Sequence, residues 1–317
     1  MPNRPNNVTI RKDLTSYAFG VMQDAQAVLA IAKILAPVVP TGAASGQFNK
    51  FDTTAAFKAY AAAVARRAIG GHATEIGLLS DVASFNIKPN GLRIKMDEFE
   101  KTQAGGDVAL VEQAKTRTLT ISSVLSYLNA VVTAIKASIS AEAGKGTWTN
   151  ANVDPIQEIN DLIKAVWLAS GMVPNNVVID FGAWCVLAGN KNVIARMPGA
   201  DIAAVTPLRV QGMLVNPNVK ITISTAAGLT GGGLGNAAAT KQGVLAGSVL
   251  AFYNSDAATP YDPSFCKVFS PAANLFTEVY TYREEPHFDW FENDWQDDIQ
   301  VVSSLLCKRI DVTGANI

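Results

Sequence analysis

The residues best equipped for chemistry stand together near the C-terminus, in YREEPHFDWFENDW at 282–295. Five acids, five aromatics and one of the two histidines share this stretch. His287, Asp289, Glu292 and Asp294 offer nitrogen and oxygen ligands at near-alternating spacing, and one strand could turn several of them toward a single ion. A metal-dependent hydrolase using residues 287–294 is therefore one reading. A solvated strand edge is a second. A third is a surface that meets another protein, because Tyr, Trp, Phe and Arg are enriched at binding surfaces. The interleaved aromatics and the lack of a second histidine nearby favour the third. Its expected contacts are Asp289, Trp290, Glu292 and Trp295.

Elsewhere the catalytic inventory is thin. A Ser-His-Asp or Cys-His arrangement would have to use His72 or His287, and no serine stands in a GxSxG elbow. The glycine-rich GLTGGGLG at 228–235 has neither the GxxxxGK[ST] nor the GxGxxG spacing, and it reads as a flexible surface loop. Gly144-Lys145-Gly146-Thr147 matches half of a phosphate loop. Cys185, Cys266 and Cys307 are odd in number, far apart and never CxxC. That argues against a disulfide framework or zinc site and suits a reducing compartment. No catalytic residue, metal or cofactor is assigned. Arg66-Arg67 is the single adjacent arginine pair and has little basic company. Bidentate pairing with carboxylates of a neighbouring copy is its economical use.

The elements that must carry these residues follow from composition and pattern. The chain has 317 residues, net charge -1, 49% hydrophobic and 17% charged residues. Average soluble proteins carry roughly 25% charge. Two readings fit that low value. Alanine richness is one, and a surface largely covered by partners is the other. A near-neutral chain has no global field for nucleic acid or anionic membranes. The longest apolar run, Ala25 to Val39, is broken by Gln26, Lys33 and Pro37 and is too short to span a bilayer. The first residues hold no apolar stretch of the secretory type.

Residues 1–46 read as an arm with a weak helical pattern over 21–35. QFNKFD at 47–52 and ARRAIGGHATEI at 65–76 read as short extended pieces, and Pro89-Asn90-Gly91 as a turn. Residues 47–100 thus form a projecting loop or hairpin. Over 107–141, Ile121, Val124, Leu125, Leu128, Val131, Val132, Ile135 and Ile139 step by threes and fours, one face of a helix about 50 Å long. Asp154, Pro155 and Gln157 start a second helix with a capping-box-like pattern, ended by Gly171 and Pro174. Val177-Val178-Ile179 reads as a buried strand and 181–190 as a short helix. From about 208 the texture turns to β, with strands over 219–224, 244–253, 275–282 and 299–309. Helices and strands in blocks make the class α+β.

This order resembles the HK97-fold major capsid proteins of tailed bacteriophages. The likeness is carried by FNKFD (48–52) with RRAIGGHATEI (66–76), and by the long helix with its GTWT exit (146–149). It continues in DPIQEIN (154–160), GMVPNNVVIDFGAW (171–184) and NVIAR (192–196). It ends in DPSFCKVF (262–269), YREEP (282–286) and WQDDIQVV (295–302). Together these span most of the chain. The resemblance implies an N-terminal arm (1–46), an extended loop (47–100) and a peripheral domain with a spine helix (101–150). It further implies an axial domain (151–264) and return strands to the peripheral domain (265–317). It also implies a non-enzymatic subunit that self-assembles into the icosahedral shell around a phage genome. Such a subunit would sit in the virion after assembly in the host bacterial cytoplasm. The expected partners are other copies in hexamers and pentamers, a separate scaffolding protein, a portal, a decoration protein and DNA enclosed without sequence reading, with no membrane. Residues 282–295 would then pack against an adjacent subunit, with Arg66 and Arg67 as candidate partners of its acids. Encapsulin-like cellular compartments share the fold and form the alternative shell.

Overall fold

The structure is a computed structural model. It describes residues 9–24, 26–52, 69–72, 81–105, 107–197, 205–230, 240–273, 275–276, 278–285 and 287–315. The first part of the chain holds β1 (Thr9–Ile10), α1 (Lys12–Asp24), α2 (Gln26–Leu35), β2 (Val38–Pro40) and β3 (Ser45–Lys50). Next come β4 (Asp81–Asn86), β5 (Lys88–Asp97), α3 (Glu98–Gln103) and α4 (Val108–Ser138). The middle holds α5 (Pro155–Ser170), β6 (Asn176–Asp180), α6 (Phe181–Gly189), α7 (Lys191–Ala195) and α8 (Pro207–Gly212). Then follow β7 (Lys220–Ser224), β8 (Ala227–Thr230), β9 (Thr240–Gly243), β10 (Ser248–Phe252) and β11 (Cys266–Ser270). β12 (Val279–Glu285), β13 (Phe288–Val301) and β14 (Cys307–Asp311) end the fold.

Local chemistry accounts for the main boundaries. Asp154 accepts a hydrogen bond from Ile156 N at 3.1 Å, and Gly171 ends α5 at φ 68°, where a side chain would be strained. The expected capping box does not close: Gln157 bonds forward to Asp161 at 3.1 Å. A complete box forms instead at α3, between Asp97 and Glu100. α4 is 31 residues long, about 46 Å at 1.5 Å per residue. Val124, Leu128, Val131, Val132 and Ile135 are buried as the spacing predicts, while Ile121 and Leu125 are only half-buried. The buried stripe continues through Thr116, Thr120 and Ser123, which carry no apolar signal. Thr120 and Ser123 satisfy themselves by donating to carbonyls one turn back, at 2.8 and 2.9 Å. By length and composition α4 could also cross a membrane, yet half of its most apolar window is buried in the protein.

Two sheets organise the fold. One contains β1, β12, β13, β11 and β2 in that order, with β5 also paired to β13. The other runs β14-β10-β6-β7. The central strands of the second sheet, β6 and β10, are buried on both faces. Val178, Leu250 and Phe252 face a core shared with α2, α4 and β11. Val177, Ile179, Val249 and Ala251 alternate into a second core under α5 and α6. A smaller cluster joins α1 and α4 to the first sheet through Leu14, Ala18, Leu119, Met96 and Phe291.

These pairings cut across the expected segments. The described part of 1–46 is built into the body: Ala32, Leu35 and Ala36 are fully buried, and β2 pairs in parallel with β11. Of 47–100, β3 and β4 form an antiparallel pair. β5, however, lies along ten residues of β13, from Asp97↔Phe288 to Lys88↔Asp297. Within 265–317, β14 does not return to the first sheet; it pairs with β10 at the edge of the second. The expected strand over 299–309 is two strands, split by a 3₁₀ turn at Ser304–Leu306. The glycine-rich loop is flanked by the β8–β9 pair, and residues 231–239 lie outside the described residues.

Candidate subunit interface

The acidic-aromatic stretch at 282–295 lies largely in β13, a strand of 14 residues. Its period of two divides the residues between two faces. Phe291, Asn293, Trp295 and Asp297 turn inward and are buried. Trp290, Glu292 and Asp294 are only partly covered. Trp295 is 7% exposed, sits in the largest core and packs its ring 5.2 Å from Phe276. This corrects one expected contact, because a residue used up in its own core has no surface to offer a neighbour.

Trp290 stays on the accessible face, and its own chain surrounds it. Tyr282 and Lys95 stand opposite it on the two neighbouring strands. The Arg93 guanidinium lies 4.2 Å above the indole ring and donates to Tyr282 Oη at 3.2 Å. Lys95 Nζ stands 4.8 Å from the Phe288 ring. The Trp290 indole N–H is buried without a hydrogen-bond partner. Glu292 lies across from Arg93 on one side and Tyr280 on the other.

Asp289 is bound by two cations of the same chain. Lys101 pairs with Oδ2, and Arg283 Nε donates to Oδ1 at 2.9 Å. Burial pushes this carboxyl up, but the hydrogen bonds from Lys101 and Arg283 outweigh it and hold it below the usual carboxylate value. His287 has a side chain 76% exposed, and its Nδ1 is 3.7 Å from Glu98 Oε2. Among the described residues no group of three or more His, Cys, Asp and Glu side chains could hold a metal ion. The hydrolase reading of 287–294 therefore lacks its convergent site: Asp289 is held by Lys101 and Arg283, His287 points to solvent, and Glu292 and Asp294 alone share the accessible face. Arg66 and Arg67 lie outside the described residues.

The cations that answer the acids were missed from sequence. The signal was present in KPNGLRIKMD at 88–97, where Arg93 and Lys95 alternate with Leu92, Ile94 and Met96. Taken as a turn, that stretch has no partner. Taken as a strand, its basic face matches the acidic face of β13. Several exposed large apolar residues belong to the unit around the β14-β10-β6-β7 sheet. Trp167, Leu168, Phe181, Leu208 and Val215 are each 48–78% exposed there. Monomeric proteins show single exposed apolar residues routinely, but several on one charge-poor unit suggest contact with a partner.

No protein-family model matches the sequence, and no curated protein matches it. Solved structures do match. A phage-related protein from Bordetella bronchiseptica RB50 is 18% identical, with 96% of this chain and 98% of that one covered, at a TM-score of 0.67. The capsid of the cyanophage P-SCSP1u matches at 11% identity, covering 88% and 87%, with a TM-score of 0.53. The chain has an HK97-like capsid fold. A Microbacterium phage Oxtober96 structure agrees at 8% identity, 89% and 90% coverage and a TM-score of 0.52. Within this fold α4 packs against the long strand β13.

Proposed function

We propose that this protein is the major shell subunit of a phage head. The observation that carries the reading is agreement over nearly the whole chain with the cyanophage capsid subunit, at an identity where fold persists without sequence. Three features of the chain support it. Charged residues are 17% of the sequence, too few for a monomer of this size to cover itself in the ordinary way. Exposed apolar residues gather on the unit around the second sheet. The β3–β4 pair leads into a segment of about 30 residues that links its two strands.

In this reading the subunit has no enzymatic role, and copies close into hexamers and pentamers. The unit around the second sheet is the axial part and the spine-helix sheet the peripheral part. Trp290 and Glu292 provide contact area on the accessible face of β13. Arg66 and Arg67 pair with a neighbour's carboxylates. Glu292 is a better partner for them than Asp289, whose charge Lys101 and Arg283 already hold. A separate scaffolding protein, a portal and a decoration protein complete the particle, which encloses DNA in the virion after assembly in the host cytoplasm.

The test is negative-stain electron microscopy of the protein produced alone and with its genomic neighbours. Closed shells, or rings of five and six, are expected. A persistent monomer under both conditions would refute the reading.

A further inference from the structure

Asp297 is a buried acid that the shell function does not use. It lies on the inner face of β13 and is 6% exposed. Its Oδ1 accepts one hydrogen bond, from Asn90 Nδ2 at 2.5 Å. Across the core stands Tyr127 of the spine helix, 1% exposed, with a hydroxyl that has no partner. Tyr127 packs edge-on to Phe276, and Phe276 packs on Trp295. The carboxyl therefore sits at the meeting point of α4, β13 and the first residues of β5. Those residues begin just after β4, at the base of the extended loop.

The other polar groups around it come from every neighbouring element. α4 presents Tyr127, and β11 presents Cys266 close to that hydroxyl. β5 presents Asn90, with the exposed Lys88 opposite Asp297 in the register. On its own strand Asp298 follows, tied to Asn86 N at 2.7 Å. A carboxylate buried with one neutral donor is poorly solvated. Protonation would remove that cost, and so would local opening of the strand pair.

We propose that Asp297 is a proton-operated latch at the base of the extended loop. Protonated, it lets residues 88–91 seat fully on β13. Ionised, it favours release of that segment from β13, so that water reaches the carboxylate. The electrostatics agree in direction: burial pushes this carboxyl up to about 6, with the Asn90 bond opposing and Asp298 adding. The closed form then has its full advantage below the ordinary carboxylate value near 4. It loses that advantage progressively up to about pH 6 and changes no further above it.

Hydrogen exchange of the unassembled protein tests this without reference to shells. After correction for intrinsic rates, opening of the peptide over 86–92 is expected to rise on the order of 100-fold between pH 4 and pH 7. Amides of α5 should show no such rise. Asp297→Asn should hold the peptide near its low-pH protection at every pH. An equal rise in Asp297→Asn, or none in the native chain, overturns the proposal. A carboxyl carbon titration of Asp297 in the native protein gives an independent reading. A midpoint near 6 supports the latch, and one near 4 overturns it.

Discussion

Two tryptophans five residues apart should respond very differently to the same substitution. Trp295 is buried in the largest core against Phe276, and Trp290 lies on the outer face under Arg93. Replacing a buried Trp with Ala costs about 3–5 kcal/mol, from lost transfer energy and the cavity left behind. Unfolding entropy is about 2.1 cal/mol/K per residue, so over 317 residues a loss of about 4 kcal/mol lowers Tm by roughly 6 °C. Trp290→Ala removes a cation–π contact of about 0.5–1 kcal/mol and a partly covered ring, about 1–2 kcal/mol altogether. Urea denaturation of the unassembled chain, read by far-ultraviolet circular dichroism, gives both values on one scale. Shell yield, read by sedimentation, should fall in Trp290→Ala while the fold stays intact. In Trp295→Ala it should fall only as far as folded protein is lost. Equal destabilisation by the two changes, or a cost below about 1.5 kcal/mol for Trp295→Ala, would refute the assignment of faces along β13.

Two further substitutions probe the junctions of the fold. Gly146 has φ 91°, and a Cβ there would stand 2.1 Å from Asp311 O, so Gly146→Ala should destabilise by several kcal/mol, roughly 3 or more, in the same denaturation assay. A cost under about 1 kcal/mol would show that the loop after α4 can shift away from the end of β14. Tyr127→Phe removes a buried hydroxyl without a hydrogen bond, so it should be neutral or stabilise by up to about 1 kcal/mol. A clear loss of stability would mean that this hydroxyl has a partner, and Asp297 would be the first to examine by carboxyl titration.

Much of the architecture was legible in the sequence because it rests on local rules. The long helix follows from apolar residues stepping by threes and fours, and α5 from Asp154, Pro155 and Gly171. β6 follows from a short β-branched run. Each signal lies within one or two turns of chain, where backbone geometry alone relates the residues. The order of those elements is enough to suggest the capsid fold.

What the tertiary structure decided is which strands meet, and that set the meaning of the acidic-aromatic stretch. Asp289, Trp290, Glu292 and Trp295 look equivalent in sequence. The pairing of β13 with β5 and β12 separates them, placing Trp295 in the core and Trp290 on the face. The same pairing supplies the cations from 88–101, nearly 200 residues away. Antiparallel partners with opposite charge cannot be matched from one strand alone. The buried threonines of α4 are hidden for a related reason: their hydroxyls bond to their own helix, so polarity does not mark them as exposed. The place of β14 beside β10 was likewise beyond local pattern. A short β run carries no label for its sheet, and only closure of the core around Val249, Ala251 and Ile310 assigns it.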